Sequence, residues 1–448
     1  MSQTGQNIPR IGKPANVNTD TPREIVARPL ILRTAPLEEG LHYGWWIALS
    51  AMFSVFVSLG VGRFALSMLL PAMAADLGLG FAQIGWISTA NRVGYLLGAL
   101  WVRRLQPRYG ERRLIFWALM AVIATMVGVS VASGFIPLLI LYAGTGVGGG
   151  MAFVCTIKLV PRWFISKWRR RASGFLFAGA GLAMMLAGWA VPLINGLMGP
   201  EGWRLGWAGL AAVCLPLAVF CRIVLRNRSS DLGLRPFGTN SQPTSRGPDS
   251  RATTPVASRA SRASLRFLIM RLGAIYFLFG ASYVAYATFV VTTLVREHGM
   301  TEAQAGYFWI WLGFFTLLCG PVLGTLSDRL GRRTGLSLAL FLQGSAYALI
   351  AYGSGEAAVF LSIALFGLSL FGVPLIIAAA TADYLTPNRA LGVVVAIAVV
   401  LGLGQIAGAI LAALLAEYTG SFTPAYLAAT ALVALAIAIT LTLPDPTK

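Results

Sequence analysis

The sequence predicts an all-α polytopic membrane protein with twelve transmembrane helices, arranged as two six-helix repeats of like orientation. The first observation is composition: the 448 residues are 57% hydrophobic and only 11% charged, whereas a soluble domain carries about 25% charged residues. The second is the recurrence of apolar runs of about 20 residues, the length at which a helix crosses a bilayer. The third is an internal repeat, in which segments of the first half return in the second half.

Charged or turn-rich breaks separate the apolar runs. The predicted spans are 45–73, 82–104, 113–132, 136–160, 171–197, 203–225, 266–295, 303–327, 334–353, 357–384, 388–416 and 421–443. They divide the chain into an N-terminal segment (1–43), a first half (44–225), a central loop (226–264), a second half (265–443) and a tail (444–448). The central loop is rich in Ser, Thr, Pro and Arg, so we expect it to be disordered.

The internal repeat relates the two halves through two separate anchors. The segment AQIGW at 82–86 recurs as AQAGY at 303–307, and Gly78 recurs as Gly299 with the same offset along the chain. RASG at 171–174 recurs as RALG at 389–392 with nearly the same offset. Membrane proteins built from parallel repeats place their ligand between the repeats, near the middle of the bilayer. We therefore expect the functional site at the interface of the two halves.

The distribution of positive charge predicts the orientation. Of the 35 Lys and Arg residues, 31 lie on the side of the predicted membrane that holds both termini and the central loop. The positive-inside rule places that side in the cytoplasm, and we expect a bacterial inner membrane. The net charge of +19 therefore reports topology and contact with lipid headgroups rather than a nucleic-acid partner. We expect the chain to be a monomer.

Two arginines inside predicted spans are the strongest functional signal. Arg63 and Arg92 lie in the first and second spans, and neither span contains an Asp or Glu that could pair with them. A cationic side chain at the middle of a bilayer costs about 2.5–3.5 kcal/mol on insertion scales, so it is kept for a polar cavity, a partner or a ligand. Together with Asn91, we predict that they bind an anion. The alternatives are neutralisation by helix carbonyls or a polar cluster, and a structural or gating role for Arg92.

The second half is expected to supply the opposite wall of the site. Tyr283 and Tyr286 in the seventh span are three residues apart and therefore share a helix face, and Gln405 in the eleventh span carries an amide that needs a partner. We predict that all three contact the ligand. The alternative for each is aromatic packing or an interhelical hydrogen bond.

The loop between the eighth and ninth spans carries the sharpest motif, GTLSDRLGRR at 324–333. It resembles the loop signature of the Major Facilitator Superfamily. The predicted gating residues are Gly324, Asp328, Arg329, Gly331, Arg332 and Arg333. We expect Asp328 to pair with a nearby Arg or to cap a helix, and so to hold the two halves together on the cytoplasmic side. The alternative is a basic turn that only sets topology.

The equivalent loop of the first half is predicted to be degenerate. When the two loops are aligned from Gly98, Val102 stands where the acid is expected and Gly110 comes several residues late. We therefore assign the gate mainly to the Asp328 loop.

Further segments resemble narrower groups of this superfamily. GRFA at 62–65 and NRVGYLLG at 91–98 resemble the YbfB/YjiJ-type group, and YGWW at 43–46 and DLGLRP at 231–236 resemble the monocarboxylate and oxalate–formate porter branch. The resemblance implies twelve helices and alternating access. The basic residues of oxalate–formate carriers in the eighth and eleventh helices are absent here, so a close oxalate-carrier assignment is weak.

The predicted function is a secondary carrier, symporter or antiporter, for a small organic anion, expected to be a carboxylate. Coupling to a proton or to a counter-anion is left open, because the one acid inside a span, Asp383, lies near the cytoplasmic end and is expected to pair locally. The alternatives are a multidrug or metabolite exporter and a transport-dead sensor or scaffold. We predict no enzyme activity, catalytic residue, metal or cofactor.

Overall fold

The computed structural model describes residues 42–238, 262–353, 355–384 and 387–444. The predicted N-terminal segment, most of the central loop and the end of the tail lie outside these residues.

The first half begins with a span that changes helix type twice. Its helices are α1 (Tyr43–Val55), a π-helical stretch (Phe56–Phe64), α2 (Ala65–Asp76), α3 (Phe81–Ser130), α4 (Phe135–Leu159), α5 (Ser166–Met198) and α6 (Gly202–Val224). Short 3₁₀ turns follow α4, α5 and α6 at Val160–Arg162, Gly199–Glu201 and Ser229–Leu232. The long α3 contains two predicted spans. Gly110, with a φ of 71° and a ψ of 160°, breaks the helix between them.

The second half follows the same plan. Its helices are α7 (Arg262–Arg296), α8 (Glu302–Leu330), α9 (Arg332–Tyr352), α10 (Glu356–Ser369), α11 (Gly372–Tyr384), α12 (Pro387–Thr419) and α13 (Thr423–Leu441). The described residues contain 10 apolar helical segments long enough to cross a membrane. Two of these segments, Phe81–Ser130 and Gly174–Val224, each contain two predicted spans. The prediction of twelve transmembrane helices is confirmed.

The repeat is visible in the backbone as well as in the sequence. Glycines with positive φ occur in three equivalent pairs that share one offset along the chain: Gly78 and Gly299, Gly110 and Gly331, and Gly199 and Gly420. Within each pair the φ values are similar, at 61° and 66°, 71° and 89°, and 71° and 72°. Glycine adopts this left-handed region without a steric penalty, so the same turn recurs at the same place in both halves.

The prediction of a disordered loop from residue 226 is wrong at its start. Residues 226–238 fold back onto the first half, where Phe237 forms a bridge with Phe164. The Phe237 ring packs against Trp45 and Trp168 at centroid distances of 6.0 and 5.3 Å. This aromatic packing buries apolar surface and helps to hold the segment against the first half.

The two halves meet mainly through α5 against α8 and α3 against α12. On α5 and α8, two pairs of glycines face each other. A Cβ added at Gly181 would lie 2.6 Å from the Gly313 carbonyl oxygen, and one at Gly188 would lie 2.7 Å from that of Gly306. Small residues allow the two backbones to approach closely. This close approach brings side chains of both halves together at the centre of the molecule.

Candidate functional site

Arg63 is positioned by the π-helical stretch of the first span. It lies in the last turn of Phe56–Phe64, and all nine of these residues are buried. π-Helical turns are rare and occur frequently at functional sites. The SLGVGR sequence at 58–63 contains two glycines, which relax the helical geometry there. No sequence pattern considered above predicted this change of helix type.

The guanidinium of Arg63 reaches across to the second half. Its Nη2 donates a hydrogen bond to the hydroxyl of Tyr283 on α7 at 2.8 Å and another to Oε1 of Gln405 on α12. The residue is only 8% exposed. Three of the predicted binding residues, Arg63, Tyr283 and Gln405, therefore meet at one point between the halves.

Aromatic rings surround this point. The Arg63 guanidinium carbon lies 5.4 Å from the centre of the Tyr95 ring and 5.9 Å from that of Tyr283. Tyr283 stacks on Phe279 at 5.1 Å, which in turn stacks on Tyr276 at 5.9 Å. Ring faces attract the cation but carry no net charge, so they leave it without a counter-ion.

Arg92 also contacts α7. Its Nη1 donates to the Ser88 carbonyl at 2.8 Å and to the Ser88 hydroxyl at 2.6 Å, and its Nη2 donates to the hydroxyl of Thr288 at 2.9 Å. The residue is 5% exposed. Arg92 therefore forms a second link between the halves, and all of its described acceptors are neutral.

Asn91 lies behind the two arginines rather than between the halves. Its Nδ2 donates to the carbonyl oxygens of Gly62 at 3.4 Å and Tyr142 at 3.1 Å. The Tyr142 hydroxyl in turn donates to the Arg63 carbonyl at 3.1 Å. These bonds fix the backbone that carries Arg63, so Asn91 and Tyr142 position the guanidinium without facing it.

Tyr286 lies away from this cluster. Its hydroxyl shares a hydrogen bond of 2.7 Å with Ser362, and its ring stacks on Phe366 at 4.2 Å inside the second half. Three residues along a helix correspond to about 300° of rotation, which leaves an offset of about 60°. That offset is enough to turn Tyr286 from the interface into the bundle.

Sequence reasoning missed two residues of the cluster. Tyr95 and Tyr142 lie on α3 and α4, where single tyrosines in apolar helices resemble ordinary core residues. The spacing offers one signal for Tyr95, since it follows Arg92 by three residues and Asn91 by four and lies near both on the helix.

The electrostatic character of the cluster is an uncompensated positive charge. Among the described residues, neither Arg63 nor Arg92 forms an ion pair with an acid. The Nε atoms of both arginines are buried and have no acceptor in the described part of the chain. Burying an unpaired charge is costly, and an anion of suitable shape relieves that cost. The arrangement can therefore hold an anion through charge-assisted hydrogen bonds.

The predicted gating loop forms its described ion pairs within the second half. Arg332 donates from Nη1 to Asp328 at 2.6 Å and from Nε to Asp383 at 2.7 Å. Asp383, which was expected to pair locally, therefore bonds from α11 to Arg332 of α9. Gly331 makes the turn between α8 and α9, Gly324 lies on α8, Arg329 is exposed and Arg333 is half-buried.

The first half contains an equivalent ion pair with the charges exchanged. Glu111 and Arg162 are bonded at 2.7 Å, and their counterparts at the repeat offset are Arg332 and Asp383 respectively. Gly110 is the counterpart of Gly331, so the expectation that this glycine comes late is wrong. The alignment from Gly98 misleads because the turn, rather than the preceding helix, keeps the repeat distance. Pro107 occupies the position that corresponds to Asp328.

Hydrogen bonds also join the halves at the end of the molecule opposite the Arg332 loop, which we call the acidic end. Its loops and helix ends carry Asp76, Glu201, Glu297, Glu302, Glu356 and Glu417. Oε2 of Glu417 accepts a bond of 3.0 Å from the backbone nitrogen of Ala82. Asn195 donates to Oε2 of Glu302 at 2.7 Å. The halves are therefore in direct contact at this end.

Comparison with known families and proteins agrees with this architecture. The profile of the family described as "Uncharacterised MFS-type transporter YbfB" matches residues 55–441. The 4-hydroxybenzoate transporter PcaK of Acinetobacter baylyi is 24% identical over 217 residues, and the match spans less than half of either chain, 46% of this one and 45% of that protein. PcaK of Pseudomonas aeruginosa is 24% identical over 394 residues, 83% of this chain and 85% of that protein. The hexuronate transporter of Bacillus subtilis is 24% identical over 288 residues, 62% and 63% of the two chains.

Solved structures show the same fold at low sequence identity. A bacterial homologue of the human lysosomal transporter Spinster superposes with a TM-score of 0.65 at 14% identity, covering 90% of this chain and 97% of the other. The nucleoside transporter NupG superposes with a TM-score of 0.65 at 12% identity, covering 90% and 100%. At this identity the likeness concerns the fold alone.

Proposed function

Since the chain belongs to the YbfB-type family of Major Facilitator Superfamily transporters, we propose that it is a secondary carrier that moves a small organic anion, a carboxylate, by alternating access. The observation that carries this proposal is the buried Arg63 guanidinium, which lies between the halves and has no acid partner among the described residues. Relatives named as 4-hydroxybenzoate and hexuronate transporters support it, because both of those molecules are carboxylates.

The neutral acceptors of Arg63 explain how a carboxylate would bind. Gln405 and Tyr283 offer an amide oxygen and a hydroxyl oxygen to Nη2. A hydrogen bond between ionised partners is roughly twice as strong as one with a neutral partner. A carboxylate would therefore displace the Gln405 oxygen and accept hydrogen bonds with both of its oxygens from one edge of the guanidinium. Because Gln405 and Tyr283 belong to the second half, this exchange changes the contacts that hold the halves together.

Access would alternate through the breaking and re-forming of the contacts at the acidic end. The Glu417–Ala82 and Asn195–Glu302 hydrogen bonds close the acidic end, and the close approach of α5 and α8 supports the same arrangement. Opening that end requires these contacts to break while the ion pairs within each half stay intact. In this proposal the Arg332 network keeps the second half rigid, so that each half moves as a unit.

The proposal includes location and coupling. The chain is an integral multi-pass membrane protein, and we place it in a bacterial inner membrane with both termini in the cytoplasm, as a monomer. Coupling to a proton or exchange against another anion are both compatible with a site that holds cations and no acid among its described residues.

The first experiment measures which compounds stabilise the purified protein. Binding to the folded state raises the melting temperature by mass action. We expect carboxylates such as 4-hydroxybenzoate and glucuronate to stabilise the wild type, and Arg63→Gln to remove the effect and to abolish uptake into proteoliposomes. Arg266→Gln is the matched control, since it removes the same charge from the exposed start of α7, the helix that Arg63 contacts.

Three outcomes would count against the proposal. Stabilisation by lipophilic cations alone would favour a multidrug exporter. Binding of an anion without any uptake would favour a sensor with this fold. Unchanged uptake by a folded Arg63→Gln protein would remove Arg63 from the site.

A further inference from the structure

We propose that the substrate is a dicarboxylate, with one carboxylate bound by Arg63 and the other by Arg92. This inference rests on the proposed function and specifies its substrate class. It follows from the charge of the cluster, from its unused hydrogen-bond donors and from the distance between the two places where the arginines contact α7.

The charge of the cluster calls for two negative charges. Arg63 and Arg92 are both more than nine-tenths buried, and their described acceptors are the neutral groups of Tyr283, Gln405, Ser88 and Thr288. A substrate with a single negative charge would compensate one cation and leave the other buried without a counter-ion. A buried ion without a partner is strongly destabilising, so the loaded carrier favours a substrate that compensates both.

Each guanidinium also has an N–H donor without an acceptor among the described residues. The Nε atoms of Arg63 and Arg92 are buried without an acceptor in the described part of the chain. A carboxylate binds most strongly when its two oxygens accept from two N–H groups of one guanidinium at once. Nε and Nη2 form one edge of the guanidinium, and among the described residues only the Nη2 of each edge has an acceptor. Each arginine is therefore prepared for one carboxylate.

The distance between the subsites follows from α7. Arg63 contacts Tyr283 and Arg92 contacts Thr288, so the two contacts are five residues apart on one helix. At 1.5 Å per residue this spacing is about 7.5 Å along the axis. Five residues also correspond to a rotation of about 140° around the helix, so we infer that the two carboxylates of the substrate are well separated, as in a longer linear or para-substituted aromatic dicarboxylate and unlike in oxalate.

Matched pairs of compounds test the inference directly. Terephthalate differs from benzoate, and adipate from hexanoate, by one carboxylate at the required separation. We expect each dicarboxylate to bind the purified wild-type protein at least about tenfold more tightly than its monocarboxylate, since each additional charge-assisted contact contributes on this scale. Oxalate is expected to show no such advantage.

Variants at Arg63 and Arg92 test which contribution each arginine makes to binding the two carboxylates of the substrate. Arg92→Gln should bring the ratio between dicarboxylate and monocarboxylate affinities close to one, while monocarboxylate binding persists. Arg63→Gln should weaken both. Arg266→Gln should leave the ratio unchanged. If Arg92→Gln does not fold, Arg92→Lys keeps the charge but loses the two-donor edge, and we expect it to reduce the ratio in part.

The outcomes separate this inference from the function on which it rests. Equal affinities of the wild type for terephthalate and benzoate would overturn the dicarboxylate inference and leave the carboxylate carrier intact. An unchanged ratio in a folded Arg92→Gln protein would remove Arg92 from the site. If no carboxylate of either kind binds, both the inference and the proposed function fail.

Discussion

The Arg63 guanidinium bonds to a neutral amide where a carboxylate would fit better. Gln405→Glu would place that carboxylate in the chain itself, with almost no change in shape. We expect the variant to raise the free energy of unfolding by about 1–3 kcal/mol through an ion pair with Arg63. We also expect it to lose the stabilising response to added anions. Thermal unfolding with and without the carboxylate panel measures both effects.

The second half offers a matched control for this substitution. Gln343 is also fully buried, but neither atom of its amide has a partner in the described part of the chain. Gln343→Glu would bury a carboxylate away from the two arginines, so it should lower the melting temperature. If Gln405→Glu destabilises the protein as much as Gln343→Glu does, the amide of Gln405 does not occupy the place of a substrate carboxylate beside Arg63.

At the scale of residues, the sequence predicts which charged and polar side chains lie inside the apolar spans better than it predicts the partners of those side chains. Arg63 and Arg92 are recognisable because a cation inside an apolar span is expensive wherever it points. Tyr283 and Gln405 are recognisable as polar groups that need a partner. Which partner each one finds depends on helix rotation, and the small rotation between Tyr283 and Tyr286 decides whether a tyrosine faces the interface or the core.

At the scale of elements, the two exchanged ion pairs provide a test that involves no binding residue. Glu111→Arg should lower the melting temperature, because it breaks the pair with Arg162 and places two cations side by side. For such a partly buried pair the loss is about 1–3 kcal/mol. The double variant Glu111→Arg with Arg162→Glu reproduces the polarity of Arg332 and Asp383. We expect it to recover most of the lost stability in a thermal unfolding experiment.

The surroundings of Glu111 limit the recovery. Gln106 donates to Glu111 at 2.8 Å and Lys158 donates to Gln106 at 3.1 Å, so an arginine at position 111 would face a nearby lysine. Glu111→Gln with Arg162→Gln serves as the uncharged control. If the double variant with exchanged charges is no more stable than this control, the loops at Gly110 and Gly331 are equivalent in their backbone only.

The elements that composition defines were predictable from the sequence. The elements that depend on a few side-chain contacts were less predictable. Twelve apolar runs correspond to twelve membrane-spanning segments, because the bilayer sets their length. Residues 226–238 are held in part by the packing of Phe237 among aromatic rings, which composition does not reveal. The π-helical stretch of the first span likewise leaves no periodic mark in a run that is buried on every side.

At the scale of the whole molecule, the glycine contacts between α5 and α8 set the arrangement of the halves. An alanine at Gly188 would place its Cβ 2.7 Å from the Gly306 carbonyl oxygen, so the two helices must move apart. We expect Gly188→Ala to disfavour the arrangement in which the acidic end is closed. Disulfide formation between cysteines introduced at Asn195 and Glu302 measures this arrangement, and its rate should fall several-fold.

Two features of the chain make this measurement specific. The four native cysteines are buried, so they compete little with the introduced pair. Gly196 lies on the same α5 with open space around its Cβ position, and Gly196→Ala should leave the rate unchanged. A slower reaction in Gly196→Ala as well would indicate a general effect of replacing a glycine of α5, such as a stiffer helix, instead of a shift between arrangements.

In the proposed mechanism, Arg63 and Arg92, which have no acid partner among the described residues, also make the carrier sensitive to the membrane potential. A charge that crosses the whole electric field of the membrane changes in free energy by about 2.3 kcal/mol per 100 mV. When the unloaded cluster changes the side to which it is open, part of that field acts on two positive charges. When two negative charges are bound, the net charge of the cluster is zero and the field has no effect on this step. A potential that is negative inside therefore draws the unloaded cluster towards the cytoplasm and opposes its return. In the proposed mechanism such a carrier would export its anion unaided, and it would accumulate the anion only when a cation accompanies it or another anion leaves in exchange.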